Sequence, residues 1–147
     1  MIYFGNEYHG NEIMVSTGGS FSFDTMTVIS RAVDDDFKGG VVFENWTGKG
    51  GSVLAHLAGF SPNWLNRDLL WVMFHYPFMQ LDCTHAFVQV KGKNKASKNI
   101  VEAMGFKEVI TLKDVYPDDD MILYRLYRDE CRFLKVKPRN LNFKRMN

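Results

Sequence analysis

Cysteine is scarce: Cys83 and Cys131 are the only two in 147 residues, far apart and in no metal-ligand spacing. That excludes a disulfide framework and leaves reduced thiols as the expectation. The four histidines, His9, His56, His75 and His85, form no ligand pattern either, so no metal is expected. Charge of one sign is also lacking, since 18 basic side chains face 17 acidic ones. A net charge of +1 demands neither a nucleic acid nor an anionic membrane as partner. Long apolar runs are missing as well. The most apolar stretch, Leu69 to Met79, holds His75 and Pro77 and falls short of the roughly 20 residues that a bilayer requires. Residues Met1 to Glu7 carry no basic region and no apolar core of a secretory leader. A cytoplasmic chain with no membrane partner is therefore expected.

What the sequence does have is aromatic bulk: 12 Phe, 6 Tyr and 3 Trp, enough to give one small domain a core without covalent staples. No repeat or low-complexity linker divides it. The charge is uneven in one place. From Arg132 onward come Lys135, Lys137, Arg139, Lys144 and Arg145 with no acidic residue. The expected organisation is a domain over 1–134 and a basic tail over 135–147. Such a tail grips phosphate or simply stays solvated.

Periodicity outlines the elements. Residues 1–24 are rich in Gly, Asn and Ser, without helical spacing, and offer at most a short strand near Glu12–Thr17. Thr25–Val33 reads as a strand, with β-branched Thr25, Thr27, Val28 and Ile29. A turn through the acidic triplet and Gly39-Gly40 leads to a second strand, Val41–Trp46. Ser52–Phe60 alternates as a third. From Leu65 the spacing becomes helical, with Leu69, Val72, Met73 and Tyr76 on one face, and Pro77 ends or kinks that helix. Thr84–Val90 is the next strand. Asn94 is placed to cap a helix over Lys95–Met104, and Gly105 suits its left-handed stop. Phe106–Val115 and Met121–Arg128 close the chain as strands, with a turn at Pro117–Asp120 between them. A strand, helix, strand order implies a parallel pair, and the hairpins imply antiparallel ones. The fold class expected is α/β, with a mixed sheet and flanking helices.

The stretch Asn94-Lys95-Ala96-Ser97, followed by Met104-Gly105-Phe106, resembles the N-x-x-S…GF signature of the GNAT N-acetyltransferases. Within that superfamily it is most similar to the ribosomal-protein alanine acetyltransferase branch. Tyr76–Leu81 and Asp129–Leu134 look like short acetyltransferase-like proteins of bacteriophages. The resemblance covers about residues 25 to 134 and implies a GNAT fold with a reduced N-terminal helical region. It implies acetyl-coenzyme A as co-substrate, held where two parallel strands, Ser52–Phe60 and Thr84–Val90, splay apart. The pantetheine arm would meet the backbone at Leu57, Ala58 and Gly59, and the pyrophosphate would sit at the start of the helix near Leu65. One feature departs from the family. Its pyrophosphate loop is rich in glycine, whereas Ser61-Pro62-Asn63-Trp64-Leu65-Asn66-Arg67-Asp68 has none. Asn66 and Arg67 are the side-chain donors available there, or else the loop is an ordinary helix start.

Acetyl transfer to an amine needs a base, an oxyanion donor and a proton for the departing thiolate. His56 is the first candidate base, because it lies mid-strand on the expected acyl-site element and titrates near neutrality. Glu44 on the preceding strand is the second. Val101 stands where many family members carry an acidic tyrosine, which leaves Ser97, matched to the serine that bonds the coenzyme sulfur, as the thiol contact. Asn94 contacts the cofactor or caps its helix. Tyr124 is expected to pack, and Trp46 and Trp64 to sit in the core or on the rim. The acceptor is read as a protein or other macromolecular amine, because the front of the chain shows no helices to close a pocket. Three alternatives stay open: an inactive GNAT-shaped module docking on a host protein, a nucleic-acid-modifying enzyme using the basic tail, and a structural virion component. A homodimer is also left open.

Overall fold

A computed structural model of the chain describes residues 1–145. The elements in chain order are β1 (Ile2–Phe4), α1 (Glu7–Ser16), β2 (Thr27–Val33), β3 (Asp36–Glu44), β4 (Ser52–Gly59) and α2 (Arg67–His75). They continue with β5 (His85–Lys91), α3 (Lys95–Ala103), β6 (Lys107–Tyr116), β7 (Asp119–Tyr127) and β8 (Phe143–Arg145). All eight strands join one sheet in the order β6-β7-β5-β4-β3-β2-β1-β8. The pairs β4/β5 and β1/β8 are parallel, and the other neighbours are antiparallel. This is the mixed α/β sheet expected from the sequence. Among the described residues, no helix is long and apolar enough to cross a membrane.

The front of the chain differs from the sequence reading. Residues Glu12–Thr17 are not a strand; they form the second half of α1 and its cap. Asn6 starts this helix by accepting the His9 backbone N–H at 3.0 Å. The buried face is His9, Gly10, Ile13 and Met14, so only two of its four inward residues are apolar by type. The other two are accommodated locally. His9 Nδ1 lies 2.7 Å from Ser30 Oγ, its ring stacks on Phe37, and Gly10 leaves room for the Phe21 ring. Helical spacing is therefore present in space but invisible to a hydrophobicity pattern.

The first hairpin also turns elsewhere. Asp34 and Asp35, at φ 51° and 62°, are its two loop residues, as a two-residue turn matched to strand twist requires. Gly39 and Gly40 lie inside β3 instead. A Cβ on Gly40 would run into Ile29 and Ser30 of β2, and one on Gly39 into Ala58 and Trp64, so close approach rather than turning explains them.

The rest follows the expected order. Asn66 caps α2 by accepting the Leu69 N–H at 2.8 Å; the helix buries Leu69, Val72, Met73 and Phe74. It ends at His75, and Pro77 sits in a single π-helical turn over Tyr76–Gln80. Asn94 caps α3 through the Ser97 N–H at 3.1 Å, and Gly105 ends it at φ 103°. The larger core lies on the face covered by α2 and α3, around Val41, Phe43, Ala55, Phe78, Val88 and Tyr124. Each of the larger apolar side chains, such as Val41, Phe43 and Phe78, contributes about 1.5–3 kcal/mol by leaving water. The opposite face holds a smaller cluster, Ile13 and Met14 of α1 against Val28 and Val42.

The basic stretch after Arg132 runs across the domain. Phe133 stacks on Phe74 at 4.8 Å, and Asp68 accepts the backbone N–H groups of Arg139 and Asn140. β8 then pairs with β1, where Lys144 and Arg145 lie over the rings of Tyr3 and Phe4. Met146 and Asn147, the last two residues of the basic tail, lie outside the described residues.

Candidate active site

The site begins where a ladder stops. β4 and β5 pair only from Ser52↔His85 to Ala55↔Val88. Beyond that point β4 keeps its bonds to β3 as far as Gly59, and β5 keeps its bonds to β7 as far as Lys91. The facing edges at 56–59 and 89–91 thus present backbone N–H and C=O groups without a strand partner. Such groups seek a ligand or water. The gap they leave is a cavity of about 330 Å³. Leu57, Ala58 and Gly59 line it from β4, Val88 to Lys91 from β5, Ser97 and Val101 from α3, and Asn94 from the cap of that helix.

Alternation along the strands decides which chemistry faces which way. Val53, Ala55 and Leu57 point to the α2 and α3 side, so His56 points to the α1 side. Glu44 reaches the same side, because His56 pairs with Val42, two residues before it. The structure therefore brings the two candidate bases together: His56 Nε2 lies 2.7 Å from Glu44 Oε2. Their side chains are 13% and 20% exposed, dry enough to strengthen the contact and open enough to meet a substrate.

Ser97 lines the cavity with its backbone N–H used by the Asn94 cap. Asn94 lines it too, with its side-chain oxygen committed to that cap. Asn66 and Arg67 do not line the cavity. Asn66 spends its oxygen on Leu69, and Arg67 is exposed on the first turn of α2. The segment before α2 is instead closed by Trp64, 6% exposed, whose indole lies against Gly59 and Gly39. Arg31 donates to the carbonyls of Asn63 and Trp64, which fixes the loop from β2. Tyr124 packs in the core, 1% exposed, and donates to Glu102 at 3.1 Å. Burial and this carboxylate push its phenol up to about 12.

Several cavity residues carry no mark in the sequence, among them Thr17 at the end of α1, Lys91 on β5 and Tyr116. Tyr116, at the end of β6, lines the cavity with Lys91 placed over its ring at 5.0 Å, and burial raises its phenol above the ordinary value. Trp64, expected in the core or on the rim, is buried in the core and also lines the cavity. No sequence pattern marks Tyr116, because it enters from a different hairpin than the signature residues.

No protein-family model matches the sequence, and no curated protein matches it. Solved structures do. A mutant of spermidine N-acetyltransferase SpeG from Vibrio cholerae is similar at a TM-score of 0.69 and 13% identity, over 91% of this chain and 95% of that one. yncA from Salmonella typhimurium, solved with its cofactor acetyl-CoA, is similar at a TM-score of 0.67 and 14% identity, over 90% and 95%. A GNAT-family acetyltransferase from Bacillus anthracis is similar at 0.58 and 14%, over 84% and 86%. Two further structures are larger, and the chain spans only 58% and 63% of their length. Strand order, the β4/β5 splay and these likenesses agree that the chain has the fold of the GNAT acetyltransferase superfamily.

Proposed function

We propose that the protein is an acetyl-CoA-dependent N-acetyltransferase acting on an amine carried by a macromolecule. The observation that carries this reading is the His56–Glu44 pair, set beside a strand gap with unpaired backbone. When bound, acetyl-CoA supplies an activated acyl thioester. The chain's own groups then have distinct tasks. The free edges of β4 and β5 hold the extended arm, and a β4 backbone N–H near Leu57 faces the acyl oxygen as it gains charge. His56, oriented by Glu44, takes the proton that the attacking amine must lose. Ser97, or Tyr116 across the cavity, returns a proton to the sulfur. The new bond is C–N and the broken one is C–S, so no oxidant or metal is needed.

The acceptor side supports a large partner. α1 packs on β2, β3 and β4, while Phe87, Gln89, Arg125 and Tyr127 on that same face are half-buried or exposed. A second reading, an inactive binding module of the same fold, is favoured by the loop before α2. It lacks glycine, its indole plugs the space against Gly59, and the Asp68 carboxylate in the first turn opposes an anion.

Calorimetric titration with acetyl-CoA, followed by an acetylation assay on cell-extract proteins, tests the proposal. Binding in wild type and in Glu44→Gln, with transfer lost in the variant, is expected. No heat and no shift in melting temperature would transfer support to the inactive module.

A further inference from the structure

Half of one sheet face has no element over it among the described residues. α2 and α3 pack on one side of the sheet, while on the other side α1 lies over β2, β3 and β4 only. Strand alternation decides what the rest of that second side presents. Ala86, Val88 and Val90 turn into the larger core, so His85, Phe87, Gln89 and Lys91 turn away from it. On β7, Tyr124 and Leu126 turn inward and Arg125 and Tyr127 outward. The register sets His85 opposite Tyr127 and Phe87 opposite Arg125, and Lys107 extends the row onto β6.

This row is flat and cationic. The His85 ring meets the rings of Phe87 at 5.0 Å and Tyr127 at 5.5 Å, and the Arg125 guanidinium lies over Tyr127 at 4.6 Å. Tyr127 is 41% exposed, and Phe87, His85 and Arg125 are half-buried, so the rings are held yet open to solvent. Lys107 is paired with Glu130 at 2.8 Å, whereas among the described residues no carboxylate lies within ion-pair distance of Arg125 or Lys91. Asp119, at the other end of β7, spends its oxygens on the backbone N–H groups of Lys93 and Asp120. The face therefore carries an excess of positive charge.

An acidic protein would answer that charge but not the rings, and a duplex hides the faces of its bases. A single strand supplies flat bases and phosphates together. We propose that this open face docks single-stranded RNA, with bases stacked on Tyr127 and Phe87 and phosphates held by Arg125 and Lys91. The exposed Gln89 amide, donor and acceptor at once, stands between Phe87 and Lys91 to meet a 2′-hydroxyl. Leu54 of β4 lies opposite Phe87, and His56 follows on the same face, so an RNA crossing from β7 to β4 arrives beside the His56–Glu44 pair. The basic tail is not this surface, because Lys144 and Arg145 belong to β8 at the opposite edge of the sheet.

Fluorescence anisotropy of the whole chain with a labelled oligouridylate of about twelve nucleotides tests the inference. The RNA should bind, with an affinity that falls linearly with salt on logarithmic axes. Tyr127→Ala and Phe87→Ala should each weaken it about fivefold or more, as the loss of one stacked base does. Arg125→Gln should weaken it too and lower the salt slope by about 0.7, the share of one phosphate. Tyr127 projects into solvent, so that variant keeps the test decisive if Phe87→Ala fails to fold. Lys135→Ala combined with Lys137→Ala, both exposed on the tail, should leave affinity unchanged. No binding, full affinity in both Tyr127→Ala and Arg125→Gln, or loss only in the tail variant overturns the inference. So does equal binding of the matching oligodeoxyuridylate, or displacement of the RNA by polyglutamate of equal charge, which would point to an acidic protein instead. No coenzyme enters this assay. A failure here leaves the transferase proposal standing, and a failure to bind acetyl-CoA leaves this one standing.

Discussion

Gly59→Ala is the most informative single change, because its cost is assignable to one neighbour. Gly59 lies in β4 with an extended backbone that alanine adopts freely, and the atoms nearest an added Cβ all belong to the Trp64 indole. The methyl group lands in a ring that is itself 6% exposed and cannot swing into water without vacating the core. Overpacking of this kind costs about 1–3 kcal/mol. Trp64→Leu removes much of the ring and should cost about 3 kcal/mol by itself, as large-to-small core changes do. The two should not add. With leucine at 64 the methyl finds room, so the double variant should be more stable than the sum predicts by about 1–2 kcal/mol. Urea unfolding of the four proteins measures this directly, with the denaturant slope checked for constancy. If the two losses add within about 0.3 kcal/mol, the indole does not rest on Gly59 and the plugged loop is wrong.

Three further outcomes are expected. Tyr124 has its phenol pushed up to about 12 against about 10 unfolded, so its contribution is complete below pH 10 and is lost as pH climbs toward 12. At most about 3 kcal/mol should disappear over that window, and pH-dependent urea melts of Tyr124→Phe should lack this loss. Asn66→Ala removes the α2 cap and should cost about 1 kcal/mol, read as a lower denaturation midpoint, while Asn66→Asp keeps it. His56→Ala should lower the transfer rate by about 10²–10⁴-fold without weakening acetyl-CoA binding; a steady-state assay showing an unchanged rate would remove His56 from the mechanism.

The sequence made the back of the fold legible because its signals are local. Asn94 and Gly105 bracket α3 by hydrogen bonding and a left-handed φ, and Pro77 follows the end of α2 by two residues. The front was illegible for a physical reason. α1 buries His9 and Gly10, whose fit depends on Ser30, Phe37 and Phe21, all distant in sequence. The same limit applies at the site. Glu44 and His56 each stood out by type, but their 2.7 Å contact follows from the β3/β4 register, which no spacing states. Gly39 and Gly40 show the converse error, since a glycine pair next to an acidic triplet reads as a turn when close strand packing is what requires it.

The short β4/β5 ladder has a mechanical consequence. Within the sheet, a ladder of only four residue pairs joins the half-sheet β6-β7-β5 to the half-sheet β4-β3-β2-β1. A seam that brief should act as a hinge and let the gap beyond it breathe. The segment after β7 counters this like a belt. It leaves the first half at Tyr127, is pinned to α2 by Phe133 on Phe74 and by Asp68, and buckles onto β1 on the far edge of the second half. The width of the gap is thus set partly by residues far from it, and cutting the belt before Arg139 should quicken amide exchange at 56–59 and 89–91 ahead of the rest of the sheet.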